Sequence, residues 1–567
     1  MTIIGIDLGT TNSVAAAYTP EGVQIIPNAL GQHLTPSVVS VDEEGEILVG
    51  EVAKQRLISH PHVTASVFKR FMGSNKIFQL DRYHFSPEDL SSFILRSLKE
   101  DAEAYLGTVV TEAVISVPAY FNDAQRKATK RAGQLAGLKV ERLINEPTAA
   151  AVAYGLHLED PNTHFLVFDL GGGTFDVSIL ERFEDMMEVQ AVAGDNFLGG
   201  EDFTELLVQE YLNRHEEGVI DTEDARLIGA IRKQAELGKR NLSRGKPAEM
   251  EIAIDDSLRS CMITVDKFQA LAKPLLTKLR QPIERAIRDA AIRPSDLDAM
   301  ILVGGATRMP IISAFVARLF GRLPSAHIDP DEAVAQGAAI QAGMKERNEA
   351  LNDLVLTDVC PYTLGIGVSV ENAAGEYESG HFSPIIDRNS VVPVSKIERY
   401  VTIRDHQKEM NITIYQGESR LTQNNIRLGE LDVKLPLSPK GQQGVDVRFT
   451  YDINGILEVE TTVVSTGEKS RMIIEENPGQ FSKEQLEQRF RELSDIKIHP
   501  RNRMENRLLL ARGERLYEES LGSSREQIAY VIRQFEDVLR RQNDREISKA
   551  AIEYKAWLEE IERVTEF

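Results

Sequence analysis

Ile3-Ile4-Gly5-Ile6-Asp7-Leu8-Gly9-Thr10-Thr11-Asn12-Ser13-Val14 and, further along, Phe165-Leu166-Val167-Phe168-Asp169-Leu170-Gly171-Gly172-Gly173-Thr174-Phe175-Asp176-Val177 follow one plan. Each is an apolar run, an Asp, a Leu, a Gly-containing turn with Thr, and a second apolar run. Asp7 and Asp169 stand 162 residues apart, a spacing that suggests a duplicated half-domain in which each half supplies one turn. Glycines let backbone N–H groups approach phosphate oxygens, Thr hydroxyls add donors, and an Asp at a strand end can hold Mg²⁺ directly or through water. The chemistry that suits such a pair is that of a nucleoside triphosphate. Either turn alone could be an ordinary tight turn. Unlike a P-loop, each leads into a strand and not into a helix carrying Gly-Lys-Ser/Thr. A third element, Ala299-Met300-Ile301-Leu302-Val303-Gly304-Gly305-Ala306-Thr307-Arg308-Met309-Pro310, is an apolar strand ending in Gly-Gly before a helix. It reads either as a plain strand-to-helix turn or as a floor for adenosine, with Arg308 near the base.

Around these elements the chain of 567 residues is long enough for three to five domains at roughly 100 to 200 residues each. From Met1 to about Asn348 β-like runs alternate with helical ones, including a helix over 123–136 closed by Gly137, which implies an α/β domain. From Val359 to about Glu475 short β-rich runs follow one another, with a turn at Asp452-Ile453-Asn454-Gly455, and read as an all-β module. From Ser482 the pattern is helical, with Ser482 and Gln485 spaced as a capping box and His499-Pro500 breaking the first helix. About three helices close the chain. Between the first two modules lies Asn352-Asp353-Leu354-Val355-Leu356-Thr357-Asp358, apolar inside acidic flanks. It reads as a linking strand or as a segment that docks in one state and is exposed in another.

Composition narrows the function. The 65 Lys and Arg against 87 Asp and Glu give a net charge of −22, which excludes a general nucleic-acid or anionic-membrane surface and favours basic partners. From residue 481 onward 17 basic residues face 18 acidic ones, so the excess lies before it. Two cysteines, Cys261 and Cys360, make neither a disulfide framework nor a zinc site and fit a reducing cytoplasm. The N-terminal residues lack the basic and apolar regions of a secretion signal. No apolar run approaches the ~20 residues of a membrane span, so direct membrane insertion is not expected.

The three glycine elements, in this order, resemble the actin-like ATPase fold of sugar kinases, actin and the seventy-kilodalton heat-shock chaperones. Val117-Pro118-Ala119-Tyr120-Phe121-Asn122-Asp123-Ala124-Gln125-Arg126, Ile144-Asn145-Glu146-Pro147-Thr148-Ala149-Ala150-Ala151 and Leu198-Gly199-Gly200-Glu201-Asp202-Phe203 look like signatures of the DnaK-like chaperones among them. The shortened C-terminal region resembles the HscC branch. The resemblance implies an actin-like nucleotide-binding ATPase domain over 1–350, a linker over 351–358, a β-sandwich substrate-binding domain over 359–480 and a short α-helical lid over 481–567.

By position it implies a catalytic group of Lys69, which would orient the attacking water, with Glu146, Asp169 and Thr174. ATP or ADP would be held by Gly9, Thr10, Thr11, Asn12, Gly171, Gly172, Gly173, Gly199, Gly200 and Glu201. Glu236, Lys239, Arg240 and Ser243 would clamp the adenosine against Gly304, Gly305, Arg308 and Asp331. Mg²⁺ would be served by Asp7, Asp169 and Asp176, with K⁺ in the same cluster. Pro118 and Arg126 would relay between nucleotide and peptide sites, and Ile366, Tyr400, Ile403, Met410 and Ile412 would line the peptide cleft. Ile366 and Ile412 read equally well as sheet core. Arg142, Asn145 and Asp358 match positions that engage a J-domain co-chaperone. The implied activity is ATP hydrolysis coupled to binding of unfolded or specific client polypeptides. The short segment between Ser243 and Asp266 argues against dependence on a nucleotide-exchange factor. A small-molecule kinase or an actin-like filament would use the same fold but leave the β module unexplained, while a chaperone-like exchange factor that cycles poorly stands nearer.

Overall fold

The computed structural model describes residues 2–140, 142–155, 162–183, 186–215, 220–221, 224–254, 257–325, 328–346, 355–373, 375–452, 455–474, 504–520 and 522–565. The Ser482/Gln485 capping box, His499-Pro500, and Ile453 and Asn454 of the expected turn lie outside these residues, as do Asn352 to Leu354 of the linker. The chain divides into two units, Met1–Pro361 and Tyr362–Phe567.

In the first unit the duplication is visible in the sheets. Strand Thr2–Asp7 runs antiparallel to Asn12–Thr19 and parallel to Val110–Val117, and Gly22–Ile26 continues the sheet beyond Asn12–Thr19. The second sheet repeats this: Asn162–Leu170 runs antiparallel to Phe175–Phe183 and parallel to Ala299–Val303, with Met186–Asp195 next to Phe175–Phe183. Both central strands are nearly continuous apolar runs because helices cover both faces. Each sheet has its own core, one around Ile4, Leu95 and Ile115, the other around Phe168, Phe203 and Leu279. The linker residues Val355–Val359 form a strand parallel to Met186–Asp195, with Leu356 opposite Met187, so this part of the linker belongs to the first unit.

Local chemistry explains the helix starts. Asn122 accepts from Gln125 N at 2.9 Å while Gln125 Oε1 accepts from Asn122 N at 3.0 Å, a capping box that begins the helix Asp123–Leu135. Helices Glu146–Gly155 and Ala333–Lys345 are built of small residues and are buried almost throughout. They meet backbone to backbone. A Cβ on Gly337 would stand 1.8 Å from Ala149 O, so glycine sets the spacing there.

The second unit contains a four-stranded sheet of Tyr377–Ile386, Leu364–Glu371, Glu409–Gln416 and Ile426–Lys434, and another of Val394–Val401, Gly444–Tyr451, Leu457–Val463 and Lys469–Ile473. Three described helices follow, Met504–Glu519, Gly522–Arg541 and Asp544–Thr565. They share a core of Leu516, Ile532, Phe535, Leu539, Tyr554 and Leu558. Where the second helix ends, Gln542 Nε2 donates to Ile397 O of the sandwich at 3.2 Å. Among the described residues no helix is long and apolar enough to cross a membrane.

Gly337→Ala is expected to lower the stability of the first unit by about 1–3 kcal/mol, the cost of overpacking a close contact, read as a lower denaturant midpoint with unchanged slope.

Candidate functional site

The two glycine turns come together on a cavity of about 490 Å³ in the first unit, a size that suits a nucleotide-scale ligand. It is lined by Asp7, Gly9, Thr10, Thr11 and Asn12 of the first turn and by Asp169, Gly171, Gly172 and Thr174 of the second. Gly172 is where they touch: a Cβ there would lie 1.8 Å from Thr11 Oγ1, so a side chain could enter only if that hydroxyl moved. The helix Gly200–Asn213 starts against the second turn, with Gly200 N donating to Gly171 O at 2.9 Å and Glu201 N to Gly172 O at 2.8 Å. Its positive N-terminal end thus lies beside the turn, an arrangement that favours bound anions.

Arg70 holds these parts together and was not foreseen. Its Nε donates to Gly173 O at 3.0 Å and its guanidinium to Asp202 Oδ2 at 2.7 Å, the oxygen that also accepts from Gly199 N at 2.7 Å. Gly173 and Gly199 are therefore absent from the cavity wall and sit behind it in this bracket. The signal that could have found Arg70 is its place next to Lys69.

Lys69 is carried by the 3₁₀ turn Phe68–Phe71, entered through Val67 in the left-handed region at φ 58°. Its Nζ donates to Glu146 Oε1 at 2.6 Å, with both residues buried. A buried pair of this kind leaves a costly uncompensated charge if one partner is removed. Around it are three more acids, the buried Asp169 and Asp176 and the half-buried Asp7. Ser116 Oγ donates to Asp7 Oδ1 at 2.7 Å and Tyr120 N to Asp176 Oδ1 at 3.1 Å, and Asp169 pairs directly with Asp176 across the hairpin. Burial, then the charge of Glu146, pushes Asp7 up to about 7 and Asp176 up to about 8. The same causes raise Asp169 well above the ordinary Asp value, against a pull downward from Lys69.

Asp169 Oδ2 is buried without a hydrogen-bond partner, which suits a cation or its hydration water. Among the described residues no three Asp, Glu, His or Cys side chains close on one point as a metal cage. Of the expected trio, Asp7 and Asp169 line the cavity, and Asp176 is the cross-strand partner of Asp169. The set fits Mg²⁺, which keeps several waters and takes one or two carboxylates plus phosphate oxygens.

The opposite end of the cavity is polar. On the helix Ala225–Ser243, Lys239 bridges Gly200 O at 3.0 Å, Thr204 Oγ1 at 2.8 Å and Glu236 at 2.6 Å, and Arg240 Nε donates to Glu236 Oε1 at 3.0 Å. Ser243 Oγ donates to Lys239 O at 2.9 Å. Facing them, Arg308 Nε donates to Asp331 Oδ2 at 2.8 Å beside Gly304 and Gly305. Glu201 completes this wall, and burial raises its carboxyl. Leu34, Arg244, Met309, Pro330 and Val334 also line the cavity. Apart from Met309, which belongs to the Gly-Gly element, no local motif marks them.

A buried network leaves the cavity floor. Arg126 donates to Phe121 O and Ala119 O, each at 3.1 Å, and to Asn145 Oδ1 at 2.7 Å. Asn145 Nδ2 donates to Asp358 Oδ2 of the linker strand at 2.7 Å, with Thr148 Oγ1 at 3.5 Å from the same oxygen. Pro118 begins this loop, its carbonyl accepting from Phe121 N at 3.1 Å. Burial raises the Asp358 carboxyl and lowers Arg142, which lies near enough for the two charges to interact. Asn145 is only 5% exposed and connects Arg126 with Asp358.

In the second unit Ile366 and Ile412 are each 1% exposed, within the sheet core. Tyr400, Ile403 and Met410 are half-buried. The Tyr400 hydroxyl meets Ser383 Oγ at 3.0 Å, Ser383 being the cross-strand partner of Ile366.

Because Asp7 and Asp176 hold their protons to higher pH when folded than the ordinary 3.8, the metal-free protein takes up protons on folding between about pH 4 and pH 8. Its stability from this source is full at the acid end and is lost as pH rises through 7 to 8. In chelator the melting temperature is expected to fall across pH 5.5 to 8.5, and Asp176→Asn to fall less. An equal fall in both proteins would refute the assignment.

The comparisons with known proteins agree with this geometry. A family model described as Hsp70 protein matches residues 3–82 and 76–566. The chaperone protein DnaK of Thermotoga petrophila is 45% identical over 487 residues, covering 83% of this chain and 80% of that protein. DnaK of Thermosipho melanesiensis is 43% identical over 486 residues, with 83% and 80% covered. A duplicated α/β unit around a phosphate-sized cradle, followed by a β module and helices, thus goes with sequence similarity along nearly the whole chain, and this protein belongs to the Hsp70 family of ATP-hydrolysing chaperones.

Proposed function

We propose that ATP hydrolysis in this chain is coupled to capture and release of extended hydrophobic segments of client polypeptides through the linker residue Asp358. The observation that carries this reading is the continuous run from Lys69 through Glu146 and its neighbour Asn145 to Asp358. Strand Leu143–Asn145 passes directly into helix Glu146–Gly155, so one backbone step joins the catalytic pair to the linker contact. A shift of Glu146 when the γ-phosphate is lost would move Asn145 with it.

At the cavity, Lys69 aligns the attacking water and offers positive charge to the transferring phosphoryl group, while Glu146 fixes the ammonium and Asp169 and Thr174 complete the surroundings. Bound Mg²⁺ supplies charge neutralisation on the phosphates. Alignment and charge stabilisation dominate phosphoryl transfer, and the buried setting strengthens both. Gly9, Thr10, Asn12 and Gly171 offer backbone and side-chain donors to the phosphates. K⁺ in the same acid cluster follows from the resemblance.

Domains of 1–350, 359–480 and 481–567, joined by a linker over 351–358, suit this cycle. Ile366, Tyr400, Ile403, Met410 and Ile412 would line the peptide cleft; the partial exposure of Tyr400, Ile403 and Met410 supports this for those three. Strand-like capture by main-chain hydrogen bonds and an apolar pocket is the mode the β module supports. A J-domain co-chaperone with a basic helix would suit the acidic first unit. Arg142 lies beside the linker where such a partner would act, and exchange-factor dependence is not part of this reading. Both cysteines are buried and neither is in a disulfide, which supports the cytoplasm as the working compartment.

Lys69→Ala is expected to reduce single-turnover hydrolysis about 10²- to 10³-fold, the scale for losing one preorganised electrostatic group, while labelled ATP still binds. Unchanged turnover would sink the catalytic assignment. Fluorescence anisotropy of a labelled hydrophobic peptide is expected to rise in ADP and to collapse on addition of ATP with Mg²⁺ and K⁺. In Asp358→Ala the peptide still binds in ADP but ATP no longer releases it quickly; wild-type release by that variant would contradict the coupling.

A further inference from the structure

We propose that Arg244 reads the base of the bound nucleotide and extends the site from adenine to 6-oxopurine nucleotides, those of guanine and hypoxanthine. The cavity wall carries five cations, Lys69, Lys239, Arg240, Arg244 and Arg308. Four are matched by carboxylates: Lys69 by Glu146, Lys239 and Arg240 by Glu236, and Arg308 by Asp329 and Asp331. Among the described residues the Arg244 side chain has neither an ion pair nor a hydrogen bond. A guanidinium that no acid holds, on the wall of a ligand cavity, is left for the ligand. The inference rests on reading the cavity as the nucleotide site.

The place of Arg244 along the cavity decides what it meets. Lys239, on the same helix, donates to Gly200 O at 3.0 Å and so lies beside the glycine turns. From there the wall opens outward: the Lys239 side chain is 11% exposed, that of Arg240 58%, and Arg244 is exposed. The five residues from Lys239 to Arg244 cover about 7.5 Å along the helix axis. A nucleotide whose phosphates lie in the glycine turns extends toward that outer end with its base. The backbone beneath Arg244 is fixed. Gly245 N, at φ 74°, donates to Leu242 O at 3.1 Å and Lys246 N to Asn241 O at 3.0 Å, the two bonds of a Schellman motif.

A guanidinium offers donors in a planar fork and no acceptor. Guanine and hypoxanthine present two adjacent acceptors, O6 and N7, which match the fork. Adenine presents N7 beside an N6 amine that is itself a donor, and cytosine presents an N4 amine. The carboxylates of Asp329 and Asp331, which could accept from an amine, are taken by Arg308. Ser243 Oγ gives its hydrogen to Lys239 O at 2.9 Å and keeps an acceptor for adenine, so the two side chains together admit both kinds of purine.

The test is displacement of N-methylanthraniloyl-ADP from the full chain with Mg²⁺ by unlabelled ADP, GDP, inosine diphosphate and CDP. In wild type GDP and inosine diphosphate are expected to compete within about tenfold of ADP, and CDP far more weakly. Arg244→Ala is expected to weaken both 6-oxopurine competitors relative to ADP by about tenfold, the lower end of what a bidentate arginine discriminates. Arg244→Lys, which keeps the charge and loses the fork, is expected to weaken them nearly as much. GDP that fails to compete in wild type, an unchanged ratio in Arg244→Ala, full retention in Arg244→Lys, or a loss for GDP without one for inosine diphosphate each overturns the base assignment and leaves the site reading intact. Failure of the labelled ADP to bind wild type overturns the site reading, and the base assignment with it.

Discussion

Four acids, the buried Glu146, Asp169 and Asp176 and the half-buried Asp7, gather around the buried ammonium of Lys69. Charge of one sign collected in a place with little water is held only by protons, by cations or by the rigidity of the elements that carry it. Here the elements are strand ends. Asp7 and Asp169 occupy equivalent places on the central strands of the two sheets, and neither can retreat without breaking a ladder that passes through its core. The unfilled hydrogen-bonding capacity of Asp169 is the residue of that compromise, and the catalytic use of metal and phosphate follows from it. A polyphosphate brought in with its cation supplies what the protein withholds.

The same constraint accounts for the surrounding structure. The glycine turns must approach closely enough to share one ligand, so Gly172 rests on Thr11 and Arg70 brackets the turn from behind. The helices Glu146–Gly155 and Ala333–Lys345 pack closely on each other, so they are rich in alanine and carry glycine where their backbones meet. Glu146 lies at the start of one and Glu332 just before the other. Next to Glu146, Asn145 donates to the linker residue Asp358, so the start of this tightly packed helix pair reaches the linker.

Much of this could be read in the chain. The paired Asp-Leu-Gly runs gave the duplicated α/β unit, because strand periodicity, a special turn and a strand-end carboxylate are local signals. The capping residue Asn122 and the close of its helix were equally local. At the polar end of the cavity Glu236, Lys239, Arg240 and Ser243 were named through the resemblance, while the contacts of Lys239 with Gly200 and Thr204 appear only in the fold. Leu34, Val334 and the Arg70 bracket were silent, since their roles depend on residues more than a hundred positions away. The internal contacts of Asn145 were silent for a related reason: its partners, Arg126 and Asp358, arrive from elsewhere in the chain.

The contact of Gln542 with Ile397 has a different kind of consequence. Strand Val394–Val401 ends its sheet, pairing on one side with Gly444–Tyr451, and an edge strand offers unpaired carbonyls to any extended chain nearby. A protein that keeps company with unfolded polypeptides meets such chains constantly. By occupying one of those carbonyls with a side-chain amide, the helical segment interrupts the row that a stray strand would need, so the sandwich is less able to grow by sheet extension into the aggregates it exists to prevent.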